Sequence, residues 1–207
     1  MVNFSLAGGY TYTQESERAL TSHLSIDHKT GPLGIIGPSG CGKSSLVSQL
    51  VTVPGVTLAP TWTDRPRRAG EDELEHRFVD AETFEDMLAA GRFREVVQPF
   101  GLAYRYGLPA FEVDDDLSVV MLRAAFVGMF KHYYPTSVIY QIEAPYAQAH
   151  QAVIERGGEA GTRLKDFKTE REAGRACADR VFVNNGTLDK VWAEVREALF
   201  RDGLLKP

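Results

Sequence analysis

From Leu33 onward, short apolar runs alternate with stretches of helical period. Leu33-Gly34-Ile35-Ile36 reads as a buried strand, followed by a glycine-rich turn and a helix through Leu46, Val47 and Leu50. Ser118 to Leu122 and Ser137 to Ile142 are further strand candidates, with Ala124 to Tyr133 helical between them. Helices are predicted from about Ala147 to Arg156 and from about Arg163, then a strand at Val181-Phe182-Val183. Leu188, Val191, Trp192, Val195 and Leu199 share one face of a last helix. Asp80 reads as the N-cap of a short helix carrying Phe84 and Leu88 and stopped by Gly91. Short strands alternating with helices predict an α/β fold in three layers, a parallel central sheet covered on both faces. Two stretches break the pattern. Residues 1–30 are polar, with one alternating run, Tyr10-Thr11-Tyr12-Thr13, that could form a short strand. Thr61 to His76 is charged and arginine-rich.

The chain's 207 residues fit one compact domain, or a core with a small insert. A net charge of −5 argues against non-specific binding to nucleic acid or anionic lipid, though not against a local basic cleft. The longest apolar runs are too short to span a bilayer, and the N-terminus has neither the basic start nor the apolar core of a secretion signal. Cys41 and Cys177 are too few and too far apart for a disulfide framework or a metal set. A cytoplasmic protein with reduced thiols is expected.

The strongest chemistry lies in Gly37-Pro38-Ser39-Gly40-Cys41-Gly42-Lys43-Ser44, which matches G-x-x-x-x-G-K-[ST] between a strand and a helix. In such a loop the glycines let backbone N–H groups turn inward around phosphate oxygens. Lys43 then reaches the β- and γ-phosphates, and the Ser44 hydroxyl can ligate Mg²⁺. ATP is therefore the expected donor, bound by Gly37, Ser39, Gly40, Cys41, Gly42, Lys43, Ser44 and Ser45, with Mg²⁺ on Ser44. Cys41 lies at a helix N-terminus, which could lower its pKa, but a small loop filler is the simpler role.

The next segment adds an acceptor side. It runs Thr61-Trp62-Thr63-Asp64-Arg65-Pro66-Arg67-Arg68-Ala69-Gly70-Glu71, then Phe93-Arg94-Glu95 and Gly101-Leu102-Ala103-Tyr104-Arg105-Tyr106-Gly107. With the loop, these motifs resemble the guanylate kinase family, whose acceptor segment reads T-T-R-x-P-R-x-G-E, then Y-x-F-V, F-x-E and G-x-Y-Y-G-T. The resemblance runs from Leu33 to about Leu199. It implies a P-loop kinase fold over residues 31–207, with an acceptor-binding insert at about 60–108 and a lid at about 156–163, after an extension at 1–30. It also implies roles for residues. Arg65, Arg68, Tyr106 and His76 (where the family has tyrosine) would hold the acceptor phosphate. Glu95 and Thr61 would contact the base, and Glu71 would orient the acceptor or metal waters. Arg156 and Arg163 would close over the transferring phosphoryl group, and Asn184 would lie near the donor adenine. GMP is the implied acceptor. By local chemistry alone, the same arginines could be a solvated face, Glu95 a buried salt-bridge partner, and Asn184-Asn185-Gly186 a turn.

The chain also departs from the family pattern. Met121 and Arg123 stand at two acidic positions, Leu108 at a serine or threonine, Asp64 at the second threonine of T-T-R, and Ala152 at a lid arginine. Arg123, just past an apolar strand, is expected to face the acceptor pocket, or else to pair with an acid or point to solvent. These departures keep two other readings open. One is a kinase resembling the ribose bisphosphate kinases of phosphonate metabolism; the other is a non-catalytic guanylate-kinase-like binding domain.

Overall fold

The computed structural model describes residues 31–67, 71, 73–98, 103–109, 116–156, 161 and 164–205. Arg68, Gly70, Gly101, Arg163, most of the expected lid and the candidate strand at 10–13 lie outside them. The elements in chain order are β1 (Leu33–Ile36), α1 (Lys43–Leu50), β2 (Val56–Leu58), β3 (Thr61–Thr63), β4 (His76–Phe78), α2 (Ala81–Ala89), β5 (Phe93–Val97) and β6 (Tyr106–Pro109). After these come β7 (Leu117–Met121), a 3₁₀ turn (Ala124–Phe126), α3 (Val127–Tyr133), β8 (Val138–Glu143), α4 (Tyr146–Glu155), α5 (Phe167–Cys177), β9 (Arg180–Val183) and α6 (Leu188–Arg201).

Five strands form a parallel sheet in the order β2-β7-β1-β8-β9. The near-continuous apolar character of β1, β7 and β8 follows from burial on both faces. Side-chain alternation divides the core in two. Leu33 and Ile35 of β1 pack with Val119, Met121, Tyr140 and Ile142 beneath α1 and α6. Ile36 packs with Val120, Leu122 and Ile139 against Phe126, Val127 and Phe130 of the 3₁₀ turn and α3. Helices thus cover both faces, giving the three layers expected. The α5 helix begins at Phe167, about four residues later than the periodicity suggests. Its Gly174 sits where a Cβ would meet Gln141 Oε1 at 1.9 Å, so the helix lies directly on β8.

A second sheet, β4-β3-β6-β5, comes wholly from the segment between β2 and β7. Its β3 and β4 run parallel, with Thr61 opposite His76, while β6 pairs antiparallel with both β3 and β5. The α2 helix closes it, with Phe84 stacked on Phe93 at 4.8 Å. Asp80 caps α2 by accepting from the Thr83 N–H at 2.7 Å, and Gly91 follows with φ of 65°. None of these four strands is evident from hydrophobic periodicity, because each is only three to five residues long. The odd Asp64 has a partner here. Its carboxylate accepts from the backbone N–H of Arg105 at 2.6 Å and from Arg105 Nε at 2.8 Å, tying β3 to the start of β6.

Candidate active site

The carboxyl ends of β1 and β7 point toward one cleft, as ligand sites do in open α/β sheets. The loop after β1 has Gly37, Gly40 and Gly42 at φ of 139°, 80° and 95°, a left-handed backbone that side chains resist. The first is also fixed by crowding, since a Cβ on Gly37 would lie 2.1 Å from the Ile142 carbonyl. Lys43 opens α1 and folds back over the loop, its Nζ donating to the carbonyls of Gly37 at 2.7 Å and Pro38 at 3.0 Å. Ser44 and Ser45 follow on the first turn, half-buried. Cys41 is fully buried in the core, and burial pushes its thiol up to about 11. The thiolate expected of a reactive cysteine is absent at neutral pH, which leaves Cys41 as a packing residue.

Asn184, just beyond β9, is buried, and its Nδ2 donates to the Cys41 carbonyl at 3.2 Å. A Cβ on Gly42 would touch the same amide at 2.9 Å. Asn184 therefore braces the loop, while its Oδ1 is buried without a partner.

Across the cleft stands the second sheet. Arg65 is 6% exposed and forms a two-pronged pair with Glu71, Nη1 to Oε2 at 3.0 Å and Nη2 to Oε1 at 2.7 Å, with its guanidinium over the Phe78 ring. Glu71 thus holds Arg65 in one orientation. Thr61 Oγ1 lies 2.6 Å from His76 Nδ1 and donates to the Glu75 carbonyl at 3.1 Å. Tyr106 packs on His76 with ring centroids 5.3 Å apart. One polar cleft brings together Gly37, Ser39 and Lys43 of the loop with Arg65, Glu71, Glu75, His76, Tyr106 and Arg123. Burial, assisted by Arg65 and Arg123, lowers the His76 pKa against the pull of Glu75 and Glu71, so its ring is neutral at pH 7.

Other expected residues sit differently. Glu95 is 8% exposed; its Oε1 accepts from the Val96 N–H at 3.2 Å and its Oε2 from the Tyr133 hydroxyl at 2.7 Å. Arg123 does line the cleft, but its acid partner is Glu170 of α5 at 3.7 Å, not Glu71 or Glu95. Arg156 caps the end of α4, exposed. Sequence reasoning missed Glu75 altogether. It lies in an acidic run, Glu71 to Glu75, with no periodic signal, and only the pairing of β3 with β4 turns it into the cleft.

Known proteins place this cleft in context. No known family profile matches the chain. A guanylate kinase of Rhodopseudomonas palustris is 34% identical over 106 residues, 50% of this chain and 47% of that protein. One of Symbiobacterium thermophilum is 31% identical over 139 residues, 61% of this chain and 63% of that protein. Over these stretches the chain is similar to guanylate kinases. The match spans about half to two-thirds of the length of these two relatives. A guanylate kinase of Anaplasma phagocytophilum shares the fold, with a TM-score of 0.62 at 20% identity over 84% of this chain and 86% of that one. The α/β fold with its mostly parallel central sheet is thus one that a solved guanylate kinase shares. Among the described residues, no helix is long and apolar enough to cross a membrane.

Proposed function

We propose that this chain transfers the γ-phosphoryl group of ATP to GMP. The observation that carries the reading is the single polar cleft in which Lys43 and the loop backbone face Arg65, His76 and Tyr106. Two cation-bearing walls opposed in this way suit two phosphorylated ligands meeting end to end. The names of the relatives give the reading its acceptor.

Catalysis here consists of positioning and electrostatics. The loop N–H groups hold the donor phosphates. Lys43, released from the Gly37 and Pro38 carbonyls, follows the γ-phosphate into the transition state. Arg65, held rigid by Glu71, grips the acceptor phosphate through its remaining N–H groups. Its Nε is buried without a protein partner, one donor still to be matched. Mg²⁺ would be held by Ser44 together with the ATP phosphates, a hard oxygen set that suits it, and would neutralise phosphate charge. Arg156 stands on the expected lid, and we assign it to closing over the transferred group.

Formation of GDP and ADP from ATP, Mg²⁺ and GMP tests the reading. Lys43→Ala should lower kcat by about 100-fold or more with the fold intact by circular dichroism. Near-wild-type turnover in a folded variant would remove the loop from the mechanism.

A further inference from the structure

Beyond its polar half, the cleft continues into an apolar end walled by Val97, Leu108, Met121, Phe126 and Met129. Apolar walls of this kind suit the faces of a ring, but a ring with a polar edge needs a partner on the wall, because an unmatched buried donor is costly. Leu108 and Met121 offer none. Glu95 is not among the residues that line this space, and each of its oxygens already accepts one hydrogen bond, from Val96 and from Tyr133. The Thr61 hydroxyl is shared between His76 and the Glu75 carbonyl.

Glu75 differs from all of these. It lines both the apolar and the polar halves of the cleft. The partner of its carboxylate is His76 Nε2 at 3.8 Å, beyond hydrogen-bond reach, so its oxygens remain available. Burial opposes its charge, but the cations Lys43 and Arg123 help to overcome that cost, and the carboxyl is held below its ordinary range. An ionised carboxylate can only accept hydrogen bonds. It therefore favours a ring edge that presents N–H groups and disfavours one that presents a lone pair.

We propose that Glu75 is the residue that selects the acceptor ring, accepting from a ring N–H and its neighbouring amino group at the mouth of the apolar pocket. The inference rests on the proposed transfer to GMP. A keto-purine would satisfy Glu75; adenine, with a bare ring nitrogen at that edge, would not.

The test uses Glu75→Gln, which keeps the size of the side chain and supplies a donor that adenine can accept. Initial rates with GMP, IMP and AMP are compared for wild type, Glu75→Gln and Glu95→Gln. In Glu75→Gln the GMP-to-AMP ratio of kcat/KM should fall by about ten- to a hundredfold, with the Kd for ATP unchanged. A ratio that survives in Glu75→Gln overturns the proposal. So does a uniform loss across all acceptors, which would assign Glu75 to the phosphates, or a collapse confined to Glu95→Gln. If the wild type forms no GDP, the proposed function fails, and titration of GMP and AMP into the same proteins then decides the role of Glu75. A GMP preference lost in Glu75→Gln supports the role; equal binding of the two nucleotides by the wild type, or none, removes it.

Discussion

Arg65 cannot be read apart from Glu71. A guanidinium with 7% of its side chain exposed stays charged in this place because a carboxylate meets two of its nitrogens. Glu71→Ala should therefore leave ATP binding unchanged while raising the KM for GMP by about ten- to a hundredfold, since Arg65 loses the contact that aims it. Steady-state kinetics varying each substrate in turn checks this; an unchanged KM for GMP would show that Arg65 needs no such support. His76 yields a pH prediction. The folded state holds it neutral, with a pKa below the value of about 6.5 expected in an unfolded chain. The unfolded state thus binds more protons as pH falls below that value, and the neutral ring's share of stability, full above it, is lost toward the lowered pKa. Urea unfolding from pH 7.5 to 5 should show stability declining in wild type and declining less steeply in His76→Gln. Identical slopes would mean that His76 does not titrate against folding.

At the scale of elements, legibility followed length and burial. The strands β1, β7 and β8 announced themselves because both their faces are covered, leaving runs of four to six mostly apolar, almost wholly buried residues. The α6 helix did so because one face is wet and the other dry. The phosphate loop was legible residue by residue, because its backbone geometry demands glycine at fixed places. The small sheet was not, since Thr61-Trp62-Thr63 and His76-Arg77-Phe78 are too short to establish a period and owe their pairing to neighbours far along the chain. For the same reason sequence pattern gave no warning that Glu95 is taken up by Tyr133 or that Glu75 enters the cleft. Nor could spacing reveal Gly174 as a contact between α5 and β8. Gln141 there is fully buried and tied to Glu143 Oε1 at 2.7 Å and the Arg171 carbonyl at 2.9 Å, so it cannot yield to a methyl group. Gly174→Ala should destabilise the fold by about 1–3 kcal/mol, measured by urea denaturation. Unchanged stability would show that the helix moves aside freely.

Across the whole molecule, an acidic chain concentrates Lys43, Arg65 and Arg123 around one cleft, where two sheets of different origin meet. The large sheet supplies the loop and the small one supplies the opposing wall. Neither half alone would bring two phosphorylated ligands into line, so the proposed transfer needs both. The most direct measurement follows the label from [γ-³²P]ATP during incubation with Mg²⁺ and GMP, with the products separated by chromatography. Label recovered in GDP, and lost together in Lys43→Ala and Arg65→Ala, is the predicted result; label that appears only as inorganic phosphate, or stays in ATP, would contradict the account.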